Sequence, residues 1–167
     1  MSRFLNPSLV LAMALLLAAC GVDRQPAQTD TNVAAAHEEV DAEGVRTVRI
    51  TPVGNEMKFQ QTEITAAPGE TLRLVFENTA TSPAMSHNVL FVTDRGSINP
   101  VGRAAMDAAD RDYIPEHPAV IASTPMAAPG ETVEMTFTVP SEEGEYPYIC
   151  TFPGHYMMMQ GVLRVSS

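Results

Sequence analysis

Cys150-Thr151-Phe152-Pro153-Gly154-His155-Tyr156-Met157-Met158-Met159 is the stretch on which the reading of this chain turns. It places a thiol, an imidazole and three thioethers in one short loop, and such donors favour copper over hard cations. A one-electron copper centre of the trigonal kind needs two imidazoles and a thiolate, with a weak axial Met, so one His is missing from the loop. His87 is the candidate, in Met85-Ser86-His87-Asn88-Val89 at the start of an alternating apolar run. Taken alone, a Cys on a strand is usually a small buried hydrophobe, and consecutive Met residues are usually packing material. Their combination at this spacing favours metal. Adjacent side chains of an extended segment point opposite ways, so one of each neighbouring pair among Met157, Met158 and Met159 can face the ion.

CTFPGH with a Met four residues after its His resembles the copper loop of azurins and auracyanins, type 1 blue copper proteins of the plastocyanin/azurin (cupredoxin) family. MSHNV is similar to the segment that carries that family's first His. The similarity runs from about Arg46 onward. It implies one copper ion with His87, Cys150 and His155 as equatorial ligands and Met159 as the axial one. The Ser86 backbone carbonyl is implied as a distant fifth contact, where azurins usually have Gly. The resemblance also implies that Asn88 braces the loop holding Cys150 and that the Phe152 backbone N–H points at the Cys150 sulfur. Electrons are then expected to pass through the solvent edge of His155, inside an apolar docking collar of Met85, Pro153, Gly154 and Met157 or Met158. The disulfide typical of azurins cannot form here, because the domain holds one Cys.

The chain opens with Met1-Ser2-Arg3-Phe4 and an apolar run from Leu9 to Ala19. That run is too short to span a bilayer but suits a signal-peptide core. It ends in Leu17-Ala18-Ala19-Cys20-Gly21, which resembles the bacterial lipobox. Residues 1–19 are therefore expected to be a lipoprotein signal and Cys20 the lipidated residue of an exported, membrane-anchored protein facing the periplasm or the cell exterior. Several acyl chains anchor firmly where one does not. An exported protein normally pairs its cysteines. With Cys20 consumed by lipid, Cys150 is an odd thiol that metal binding accounts for. Residues 20–44 are rich in Ala, Gln, Thr, Asp and Glu and have few large apolar groups, which reads as a flexible tether reaching on the order of 25 Å. His37 lies in it and carries no assigned role.

Residues 45–167 suit one domain. Short alternating runs separated by Pro, Gly and Asn predict an all-β, Greek-key β-sandwich with one short helical insertion. Strands are expected over 45–52, 57–64, from Leu72 to Glu77 and from Val133 to Val139. The last two each follow the same turn, Ala67-Pro68-Gly69-Glu70-Thr71 and Ala128-Pro129-Gly130-Glu131-Thr132. The Ala-rich stretch 101–110 predicts the helix, and the family carries a helical insertion in the same place. Asp107, Asp110 and Asp112 lack the Gly and terminal Glu of a calcium loop and read as a solvated face. His117 is expected in a surface loop.

The net charge of −10 becomes −11 once Arg3 leaves with the signal, and no basic face offers itself to nucleic acid. An acidic carrier suits a basic patch on a cytochrome, oxidase or reductase. A two-centre copper enzyme would need more His than the spare His37 and His117, and an axial Met argues against an open coordination position. A Cys150/His155 nucleophilic pair lacks an orienting third residue. The expected function is therefore not enzymatic: a membrane-tethered monomer that carries single electrons by Cu(II)/Cu(I) cycling. Copper storage or delivery is the alternative, and tetrahedral zinc tolerates the same donors.

Overall fold

The structure, a computed structural model, describes residues 39–42 and 44–167. The expected signal peptide, Cys20, His37 and most of the expected tether lie outside the described residues. Period-two apolar runs dictate strands, and among the described residues these form two sheets. One contains β1 (Glu39–Val40), β2 (Arg46–Ile50), β4 (Thr71–Glu77) and β7 (Thr132–Thr138) in that order. The other contains β3 (Glu63–Ala66), β9 (Gln160–Val165), β8 (Gly144–Ile149), β5 (Leu90–Val92) and β6 (Val120–Ser123) in that order. The pairs β2–β4 and β3–β9 are parallel, and the others are antiparallel. All-β with one short helix is what the sequence predicts.

The core lies between the sheets. Val48, Ile50, Leu74 and Phe76 from one meet Ile64, Phe91, Tyr148 and Leu163 from the other. A second apolar cluster covers the outer side of the second sheet, where Leu90, Val92 and Ile149 pack against Ile98 and Val101 of α1 (Ile98–Met106). Strands β5 and the end of β8 are thus buried on both faces, which is why both read as unbroken apolar runs. The site grows out of these strand ends.

The repeated turns behave as their residues require. Gly69 and Gly130 take φ of 73° and 84° after a Pro, the pattern of a type II turn. In each the Glu carboxylate accepts from the backbone N–H of the Ala three residues earlier, at 2.8 Å in both cases. Glu70 also takes a two-pronged contact from the half-buried Arg46 guanidinium, at 2.7 and 3.1 Å, which holds its carboxyl below the usual carboxylate range.

Three boundaries differ from expectation. The 57–64 strand shrinks to Glu63–Ala66, because residues 53–58 spend their backbone bonds on each other (Val53 N–H to Lys58 C=O at 2.9 Å) and Phe59 bridges back to Pro52 as a core plug. The helix runs Ile98–Met106 instead of 101–110, since a 3₁₀ turn, Arg95–Ser97, capped by the Asp94 carboxylate at the Ser97 N–H (3.0 Å), leads into it and Pro100 is tolerated in a first turn. Folded structure also reaches into the expected tether. Glu39–Val40 pairs with β2 through a turn in which Asp41 accepts from Val45 N–H at 2.8 Å, bonds that composition does not reveal. Among the described residues no helix is long and apolar enough to cross a membrane.

Gly161 is fixed by close approach. A Cβ there would lie 2.1 Å from Cζ of Tyr148, the buried tyrosine whose hydroxyl donates to the Gln61 carbonyl at 2.6 Å. Gly161→Ala is expected to displace that ring, costing about 1–3 kcal/mol in overpacking and about as much again for the lost buried hydrogen bond. A calorimetric melt should show the midpoint fall by on the order of 10 °C, against a smaller fall for Tyr148→Phe.

Candidate metal centre

Strand geometry delivers the donors. Cys150 follows the last residue of β8, its N–H donating to the Met159 carbonyl at 3.1 Å. His87 precedes β5 and is held by a two-way bridge to Ala127, with bonds of 3.1 and 2.8 Å. Asn78 fastens the approach to His87, its amide donating to the Met85 and Ala127 carbonyls at 2.8 and 2.9 Å. After Pro153, Gly154 adopts φ of 83° and lets the chain turn into the 3₁₀ turn His155–Met157. The loop then closes on itself as Met159 N–H donates to the His155 carbonyl at 2.8 Å.

Three donor atoms converge as a result. His87 Nδ1 and His155 Nδ1 lie 3.2 Å apart, and Cys150 Sγ lies 3.7 Å from the first and 3.6 Å from the second. A circle through points so separated has a radius of about 2.0 Å, which matches metal–imidazole bonds of about 2.0–2.1 Å and falls slightly short of a metal–thiolate bond of about 2.3 Å, as in zinc sites. The trio therefore fits one ion without rearrangement. Among the described residues it is the one group of His, Cys, Asp and Glu side chains close enough to share an ion. Asp107, Asp110 and Asp112 form no such group, and His117 sits apart with its Nδ1 accepting from Ala119 N–H at 3.2 Å.

Burial sets the electrostatics. It pushes the Cys150 thiol up to about 12, while the backbone N–H groups of Asn88 and Phe152 pull the other way by favouring the thiolate. It pushes His87 down to about 4, with the neighbouring His155 ring adding to the effect, and burial lowers His155 as well. Both imidazoles are therefore neutral near pH 7, the form that binds metal, and a metal entering the site displaces the thiol proton. His87 is fully buried and its Nε2 has no hydrogen-bond partner, whereas a metal-bound His ordinarily gives that N–H to an acceptor.

The three sequence-predicted equatorial residues are thus brought together. Met159 is fully buried against the same core, while Met157 and Met158 are 64 % and 68 % exposed, which separates the three candidates. The separation does not come from strand alternation, since Met157 ends a 3₁₀ turn. Asn88 meets the loop at Thr151: its side chain donates to Thr151 Oγ at 2.7 Å and accepts from Thr151 N–H at 2.8 Å. Sequence reasoning missed Thr151, the backbone N–H of Asn88, and Asn78. Thr151 was visible as the residue beside the Cys. Asn78 carried only the signal of an amide ending an apolar strand.

Residues 46–166 match the family described as copper binding proteins, plastocyanin/azurin family. Auracyanin-A of Chloroflexus aurantiacus is 36 % identical over 169 residues, which cover 98 % of this chain and 97 % of that one. The solved structure of auracyanin A, described as a "blue" copper protein of the same organism, superposes with a TM-score of 0.68 at 38 % identity, covering 74 % of this chain and 100 % of that one. Outer membrane protein H.8 of Neisseria meningitidis is 31 % identical over 113 residues, 64 % of this chain and 61 % of that protein. With His87, Cys150, His155 and Met159 arranged as a type 1 copper site, the chain belongs to the plastocyanin/azurin family of copper-binding proteins.

Proposed function

We propose that this protein is a monomeric, non-enzymatic carrier of single electrons between larger redox proteins, tethered to a bacterial membrane by lipid on Cys20 and facing the periplasm or the cell exterior. The observation that carries the electron-transfer reading is the buried triangle of two Nδ1 atoms and one Sγ, with sides of 3.2, 3.6 and 3.7 Å. Copper bound there supplies a Cu(II)/Cu(I) couple. The chain's own work is to keep the donors still, because every ligand shift between oxidation states adds to the barrier. His87 and Cys150 stand at strand ends, Asn88 ties their segments through Thr151, and the Asn88 and Phe152 N–H groups stabilise the sulfur's charge. The Ser86 carbonyl is the proposed distant fifth contact.

His155 is the proposed port. It keeps 5 % of its surface open while His87 keeps none, and exposed Pro153, Gly154, Met157 and Met158 surround it. The collar continues past half-buried Met85 into an apolar groove shared with Met57 and Lys58. Adaptable Met surfaces of this size suit brief encounters. The net charge of −10 favours a partner with a basic face, such as a cytochrome, oxidase or reductase. Tethering rests on the Leu17-Ala18-Ala19-Cys20 motif, and the name of the Neisseria relative points to a membrane as well.

The first test is the visible spectrum of the 45–167 domain loaded with Cu(II). A strong thiolate-to-copper band near about 600 nm that bleaches with ascorbate and returns on oxidation is expected. A colourless protein that takes copper only as Cu(I), or prefers zinc, would move storage or delivery to first place. Asn88→Ala is expected to lose copper to a chelator at least about ten-fold faster, the loss of roughly 1.4 kcal/mol of bracing. Met158→Lys is expected to slow electron exchange with a redox partner while leaving the band unchanged; a normal rate would place docking elsewhere.

A further inference from the structure

The insertion between β5 and β6 touches the copper loop at two points that flank His155. At the first, Gly102 of α1 lies under the ring of buried Tyr156, so close that a Cβ on Gly102 would stand 2.3 Å from both Cγ and Cδ2 of that ring. A glycine in mid-helix weakens the helix, so its presence needs a reason, and the ring supplies one. At the second, Tyr113 packs edge-on against Phe152, with ring centroids 5.7 Å apart, and Phe152 in turn lies 4.9 Å from the His155 ring. Tyr113 reaches Phe152 from a backbone at φ of 59°, directly after Asp112 at φ of 54°. Two successive left-handed residues that are not glycine are strained, and such strain persists only where the surroundings enforce it.

We propose that the insertion is a seat that fixes His155, with Gly102 and Tyr113 as its positioning residues. Tyr156 is covalently next to His155, so any displacement of its ring is handed to the imidazole through one peptide unit. Gln160 secures the same spot from the other side, its amide donating to the Tyr156 carbonyl at 2.8 Å. The tilted Phe152 ring, packed against His155, limits rotation of the imidazole. The helix thereby sets the position of the ligand that stands nearest solvent, although none of its own side chains belongs to the donor set.

The seat is tested with four variants of the copper-loaded and the metal-free protein. By helix propensity alone, Gly102→Ala should stabilise the helix. The seat predicts the reverse: a lower melting point of the metal-free protein, a changed absorption and paramagnetic-resonance signature of Cu(II), a shifted reduction potential, and copper release quickened by at least about ten-fold, the outcome for a ligand-orienting contact. Tyr156→Leu gives the ring's space back. In that background Gly102→Ala should leave spectrum and release rate where Tyr156→Leu alone puts them. Arg103→Gly loosens the exposed side of the same helix without entering the seat, and its Cu(II) signature should match the unaltered protein.

A Gly102→Ala protein with normal spectrum, melting point and copper release would overturn the proposal. So would an Arg103→Gly protein that shifts the signature equally. The inference rests on the copper reading above, and the two fail separately. An unaltered protein without a blue band refutes that reading, while a blue unaltered protein whose Gly102→Ala variant matches it in spectrum, melting point and copper release refutes only the seat. The metal-free melting points report on the seat in either case.

Discussion

A buried thiol whose ionisation burial has pushed up to about 12 becomes a thiolate near neutral pH only when a cation stands beside it. Everything around Cys150 follows from that constraint. Two imidazoles held neutral by their own burial face the sulfur at 3.6 and 3.7 Å, and two backbone N–H groups favour its charge. Among the described residues no carboxylate enters the group, so within it the charge of a bound ion is offset by the sulfur alone. A site of one anion and two neutral nitrogens changes net charge by one unit on oxidation or reduction, in surroundings that hardly reorganise. The sandwich supplies the stillness, because β5 and the end of β8 that flank the site are buried on their two faces.

Legibility in the sequence followed the range of each physical cause. The Cys150 loop could be read because its donors are local and their chemistry is restrictive. The paired Ala-Pro-Gly-Glu-Thr turns could be read because Pro and Gly impose dihedral angles whatever surrounds them, and both Gly69 and Gly130 take the expected positive φ. His87 was found through its likeness to a known segment and not by any local rule. Its bridge partner Ala127 lies forty residues away and leaves no mark on the sequence around His87. The Phe59 plug and the β1 edge escaped for the same reason. A period-two pattern announces a surface that wants burying, but not whether the backbone beneath it will find a strand to pair with.

The insertion shows a further limit. Alanine content announced a helix, yet what matters about it is a residue with no side chain. Gly102 carries no chemical signature and acts only by leaving room for a ring fifty-four residues later. Negative information of that kind appears only when coordinates show what an added atom would strike.

The separation of the ligands bears on how the protein matures. Cys150 and His155 stand 63 and 68 residues from His87, and β3 must pair in parallel with β9, joining Glu63 to Val162. Pairings so distant form late, because loop-closure entropy is lost before contacts return it. Cys150, His155 and Met159, by contrast, lie within one loop even in the unfolded chain. An ion that arrives early therefore meets a three-donor peptide lacking its fourth ligand. Whatever affinity that peptide has is subtracted from the stability that the metal confers on the folded state. The compactness that makes the loop recognisable thus also makes it a competitor of the finished centre, and metal given after folding serves this chain better than metal given before.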